Sequence, residues 1–264
     1  MISSLLSCKV SSASGSLSLL SCIIVLAFIT YRQKKSAIQL DKKQKISWEL
    51  IEIATVCLIV GFLLIALFAA VFTPINAYDG YAIYAPKAVS IYQNKGIDTQ
   101  LFKRDLPNPD YPLLIPINEA WMSIANGSWD ERAVKLIFPL YLISATLIIA
   151  GFLGRKTSRF YGWIATVGFI GTPQIYFSGR SALCDFPVGV FLIGAVILFL
   201  EAIRDEDTKG YFLPSLLLIG ASSTKNEGLP QATIVLMIVT CLFAYRNRKT
   251  SLSIKSFFLM NWLV

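Results

Sequence analysis

The sequence contains no histidine. That absence excludes Ser-His-Asp and Cys-His nucleophilic catalysis and every histidine-ligated metal site. Acid–base chemistry would have to run on Asp, Glu, Lys or Tyr. Charge is also scarce, since 15% of the 264 residues are Asp, Glu, Lys or Arg, against about a quarter in soluble domains. The five cysteines, Cys8, Cys22, Cys57, Cys184 and Cys241, are widely spaced and form no CxxC or CxH pattern. Neither a disulfide framework nor a zinc site is expected from them; they read as small apolar packing residues. Internal repeats and low-complexity segments are lacking.

What is present is apolar. Hydrophobic residues make up 55% of the chain, and the mean hydropathy is +0.61. The apolar residues fall in blocks of about 15 to 25, separated by short polar stretches, which is the pattern of membrane-spanning helices. The net charge of +8 comes from Lys and Arg lying just outside those blocks. Orientation by basic cytoplasmic loops accounts for it, with no nucleic-acid partner. The fold class expected is an all-α polytopic membrane protein with about seven spans and a truncated eighth.

The first span is read from about Ser14 to Tyr31, retained as a helix because Tyr31, Arg32, Lys34 and Lys35 follow it instead of a small-residue cleavage site. A basic linker with Lys42, Lys43 and Lys45 leads to a second span, Trp48 to Phe72, ended by Thr73-Pro74. Further spans are expected over Ala133 to Phe152, Phe160 to Tyr176, Phe186 to Ala202, Tyr211 to Ser222 and Leu229 to Tyr245. The run Phe257 to Val264 is too short to cross and looks like the start of another helix. Residues 1–47 thus form an extra N-terminal helix and cytoplasmic linker, and 48–264 a membrane module that looks cut off at its C-terminus. If the linker is cytoplasmic, so are the loops at Arg155, Arg204 and Arg246, most of them rich in Lys and Arg. The long segment Pro74 to Glu131, the Ser178 to Cys184 loop and the Lys225 to Gly228 turn then face outward. Short amphipathic helices are expected in the long outer loop.

Four outward constellations could carry chemistry. Asp79 follows the second span directly, where a carboxylate meets the headgroup level as a base or a ligand of a divalent ion; the alternative is a helix N-cap. Pro86 would then open a second short helix ending at Lys95-Gly96. The segment Asn108-Pro109-Asp110-Tyr111-Pro112-Leu113-Leu114-Ile115-Pro116, followed by Glu119 and Trp121, is rigid and extended at its start, with aromatic rings suited to the interface. Arg180 and Asp185 lie in the loop before the fifth span, where Asp185-Phe186-Pro187 also reads as an N-cap. Lys225-Asn226-Glu227-Gly228 interrupts two apolar runs, and Lys225 either pairs with Glu227 or meets a lipid phosphate. Asn126-Gly127-Ser128 fits a glycosylation acceptor. Lys103-Arg104 departs from the charge rule, as a solvated pair or a basic patch near a phosphate.

In order along the chain, a membrane helix, Tyr78-Asp79-Gly80-Tyr81-Ala82-Ile83-Tyr84-Ala85-Pro86-Lys87-Ala88, Asn108-Pro109-Asp110-Tyr111-Pro112, Asp185-Phe186-Pro187 and Thr224-Lys225-Asn226-Glu227-Gly228 resemble the N-terminal membrane module of the GT-C glycosyltransferase superfamily. The branch they are most similar to comprises the dolichyl-phosphate-mannose protein mannosyltransferases and aminoarabinose transferases. The resemblance covers about Trp48 to Tyr245. It implies transfer of a sugar from a polyprenyl-phosphate carrier to a lipid or glycan acceptor on the outer face. It further implies Asp79 as general base and Asp185 as a second acidic residue or metal ligand. Lys87, Arg180 and Lys225 would be contacts of the carrier phosphate, and Tyr111, Glu119 and Glu227 further substrate-binding positions. A divalent cation is the one cofactor this leaves room for. The extra helix and the missing C-terminal portion depart from the family. They leave open a fragment or a non-catalytic subunit with a C-terminal partner chain. A transporter or flippase-like protein is the other alternative, favoured by the broken helix at Lys225. A bacterial cytoplasmic membrane is the expected location.

Overall fold

The computed structural model describes residues 49–98, 100, 106–205 and 208–246. The expected first span, the basic linker, Lys103-Arg104 and the run Phe257 to Val264 lie outside the described residues. The secondary structure among the described residues is helical throughout. Among the described residues, four helices are long and apolar enough to cross a membrane: Leu50–Phe72, Glu131–Lys156, Asp185–Arg204 and Gly228–Tyr245.

Helix α1 (Leu50–Phe72) is a 23-residue apolar stretch, about 35 Å long at 1.5 Å per residue. Its start is fixed by reciprocal contacts of Glu49 and Glu52 with each other's backbone, which satisfy amides the helix leaves open. It ends at Thr73 in extended conformation, because Pro74 cannot continue the ladder. A π-helical turn, Asp79–Tyr84, runs into α2 (Ala85–Asn94), and α3 (Leu114–Asn126) follows. These are the short helices expected between the second and third spans. Then come α4 (Glu131–Lys135), α5 (Ile137–Lys156), α6 (Arg159–Ile170), α7 (Pro173–Arg180), α8 (Asp185–Arg204), a 3₁₀ turn at Thr208–Tyr211, α9 (Phe212–Ser222) and α10 (Gly228–Arg246).

One expected span is broken. The apolar stretch Phe160 to Tyr176 is divided between α6 and α7 at Gly171-Thr172. Pro173 has no amide hydrogen to donate and its ring obstructs the preceding turn. At 12 residues, α6 reaches only about 18 Å. The expected sixth span is short as read, with 11 residues in α9.

The chain divides into two units. The first holds residues up to Pro109 together with Ile115–Leu183. In it, α1 packs against α4, α5, α6 and α7, and α5 forms a hairpin with α6. Apolar burial gives little drive between helices in lipid, so close backbone approach matters more. Small residues permit it: a Cβ on Gly162 would sit 2.7 Å from the Gly154 Cα, and one on Gly179 2.8 Å from Leu142 Cδ1. The Arg159 guanidinium grips Glu52 of α1 with two hydrogen bonds, of 2.9 and 2.6 Å, and the Tyr176 hydroxyl donates to the Phe62 carbonyl at 3.3 Å.

The second unit holds Asp110–Leu114 and the residues from Cys184 onward. Its core is Ala195, Phe199, Ala202, Ile203, Tyr211, Leu218, Ala232, Val239 and Phe243, drawn from α8, α9 and α10 and the turn before α9. Tyr211 meets Phe243 edge to face at 5.7 Å, an arrangement favoured by the ring quadrupoles.

Candidate functional site

In the first unit, Asp79 opens the π-helical turn. Such turns are rare and frequent at functional sites. The N-cap alternative is not what forms: Tyr78 occupies the cap position in helical conformation and makes no side-chain cap bond, so Asp79 already belongs to the turn. Gly80 is held tightly beside it. A Cβ there would lie 2.7 Å from Ala182 Cβ and from Ile75 Cγ2, and 2.8 Å from the Ala182 carbonyl oxygen. Pro86 sits in the first turn of α2 as expected. Lys95 takes the left-handed position at its end with φ 52, and the Gly96 amide donates to Ile91 at 3.2 Å. The terminator was foreseen, but the strained backbone falls on the lysine rather than the glycine.

Lys87 is fully buried, and its ammonium donates to the carbonyl of Asn108, a residue itself in the left-handed region at φ 48. Glu119, on α3, is also fully buried. Neither of its carboxylate oxygens has a hydrogen-bond partner among the described residues. Burial pushes its pKa from the ordinary 4.5 to about 8, because a charge cannot be left unpaired there. Arg180 is the last residue of α7 rather than a loop residue. Its guanidinium stands over the rings of Tyr176 and Phe177, at 5.4 and 5.8 Å from their centres.

In the second unit, three sequence motifs converge. Asp185 is the first residue of α8, with Cys184 in the cap position and no side-chain cap bond. The carboxylate instead accepts from Lys225 Nζ at 2.7 Å. Its place at the helix start remains favourable for negative charge. Glu227 lies 3.9 Å from the same ammonium, so Asp185 is the closer partner of Lys225. Asn226 Nδ2 donates to Asp110 Oδ2 at 2.6 Å, and the Leu114 amide donates to the Ser223 carbonyl at 3.1 Å. The Lys225 side chain is 13% exposed and Asp185 65%. A sheltered cation thus stands behind carboxylates open to solvent. Tyr111, half-buried, follows Asp110 in the same segment.

Sequence reasoning missed two pairs of residues, one in each unit. Asp110 and Asn226 were read only as motif letters, and nothing in their spacing joins residues 116 positions apart. Glu131 and Lys135 were also passed over, although ionisable residues at the head of a span are a usable signal. Among the described residues, no group of three or more Asp, Glu or Cys side chains converges to hold a metal ion. Comparison with protein-family models, curated proteins and solved structures finds no match.

Proposed function

We propose that the chain is a membrane glycosyltransferase module that moves a sugar from a polyprenyl-phosphate carrier to a hydroxyl of a lipid or glycan acceptor. The observation that carries this reading is the convergence of Asp185, Lys225, Asn226 and Asp110. Three of the motifs behind the resemblance meet there through side-chain bonds. On this reading the chain crosses the bilayer about seven times. The long segment between the second and third spans faces outward, in a bacterial cytoplasmic membrane.

The chemistry is a single inverting displacement. The Asp79 carboxylate takes the proton of the acceptor hydroxyl, whose oxygen attacks the anomeric carbon. The bond from that carbon to the carrier phosphate breaks, and its electron pair leaves on the polyprenyl phosphate. Arg180, in the same unit as Asp79, is the cation offered for the phosphate. Tyr111 and Glu227 remain substrate-side candidates; Glu119, fully buried, does not. Lys87, facing the Asn108 carbonyl, braces the Asn-Pro-Asp segment. The charged turn between α9 and α10 is the feature that favours a transporter instead; transport of the lipid-linked sugar would survive Asp79→Asn, and transfer would not.

Single cysteines placed at 79 and at 185, in a chain cleared of its own cysteines, test the sidedness. Both should react with an impermeant thiol reagent added from the outer side. Reaction of the two from opposite sides would remove the reading.

A further inference from the structure

Where α1 ends, the chain must turn from the membrane helix into the Asp79 turn, and two side chains of α4 hold that exit. The Lys135 ammonium donates to the Thr73 carbonyl, to Thr73 Oγ1 at 2.5 Å and to the Pro74 carbonyl at 2.9 Å. An ammonium has three protons to give, and all three go to this one bend. Lys135 is 2% exposed, so the bonds also offset the cost of burying its charge. One turn earlier on the same helix, Glu131 accepts from the Ile75 amide at 3.2 Å. Ile75 is buried and lies against the face of Gly80 that has no room for a Cβ. A continuous line of contacts therefore runs from α4 through Thr73, Pro74 and Ile75 to the residue beside Asp79.

We infer that Lys135 and Glu131 are positioning residues for the Asp79 carboxylate, acting through the Thr73–Ile75 bend and Gly80. The inference rests on the glycosyltransferase reading for its chemical consequence, while the mechanical link stands on the contacts alone. A base displaced by about 1 Å costs about a hundredfold in rate, so fixing this bend matters to turnover more than to affinity.

The test uses the full chain in lipid nanodiscs, comparing the unmodified protein with Lys135→Met, Lys135→Arg, Glu131→Gln and, as a control far from the bend in sequence, Tyr161→Phe. Two readouts are taken: hydrogen exchange of the amides of residues 76–84, and transfer from a radiolabelled polyprenyl-phosphate sugar. Lys135→Met and Glu131→Gln should speed exchange severalfold over that stretch. They should lower kcat about tenfold or more with KM for the carrier little changed. Lys135→Arg should recover part of both, and the control neither. Unchanged exchange in a folded Lys135→Met chain overturns the inference whatever the transfer result. Altered exchange with no transfer by the unmodified chain leaves the link standing and removes the glycosyltransferase reading instead. If Lys135→Met does not fold, Glu131→Gln, which keeps the buried lysine and its acceptors, decides on the same two readouts.

Discussion

Glu119 is one residue through which pH reaches the fold. Its carboxyl is buried without a partner among the described residues, and its pKa is raised to about 8 from 4.5. Below about pH 4.5 the folded and unfolded chains both hold this proton. Between about 4.5 and 8 the folded chain keeps a proton that the unfolded chain has lost. Stability therefore falls as pH rises through that window. Thermal unfolding in detergent should show this decline, and Glu119→Gln, which carries no titrating proton, should flatten it. An unchanged slope in the variant would place the pH sensitivity elsewhere. Gly80 gives a second prediction at this scale. Gly80→Ala would set a methyl 2.7 Å from Ala182 Cβ and Ile75 Cγ2. Overpacking of this kind costs about 1–3 kcal/mol, and the strain falls beside Asp79. Transfer should drop by more than the loss of folded protein explains, read as turnover per folded molecule.

At the scale of the elements, the end of α9 and the start of α10 are locked together. A Cβ on Gly228 would stand 2.0 Å from the Ala221 carbonyl oxygen, and backbone cannot step aside as a side chain can. Gly228→Ala should shift the turn that carries Lys225 and lower the unfolding temperature measurably. An unchanged temperature would mean that the two helices are not held at this distance. The Lys225–Asp185 pair makes a separable prediction. In a double-mutant cycle with Lys225→Met and Asp185→Asn, the two losses of stability should be less than additive, because the partners touch at 2.7 Å. Full additivity would mean that the contact is not made in the membrane. Element by element, legibility followed local chemistry. The termini of α1 and α2 were readable because Pro74, Pro86 and Lys95-Gly96 act within one turn of where they stand. The division of α6 from α7 was not, since hydropathy averages over Gly171-Thr172-Pro173 and registers only an apolar run. Asp79 and Asp185 both looked like N-caps by position. What fills the cap positions, Tyr78 and Cys184, has no sequence signature.

At the scale of the whole molecule, composition was enough for the class. Low charge and long apolar blocks demand helices, because lipid offers no partner for open backbone groups, and four helices of spanning length are present among the described residues. The candidate site was legible only as a set of separate motifs. That Lys225 meets Asp185 from 40 residues away is a property of packing, which spacing along the chain cannot express. The proposed chemistry requires the motif-bearing segments to lie on one side of the membrane, as basic cytoplasmic loops would orient them. The most direct measurement is transfer by the purified chain in proteoliposomes supplied with a radiolabelled polyprenyl-phosphate sugar and a hydroxyl acceptor lipid, beside Asp79→Asn. The account predicts labelled acceptor with the unmodified chain and its loss, by a hundredfold or more on the scale of a removed general base (~10²–10⁴), with the variant. Equal transfer by the two chains would contradict it.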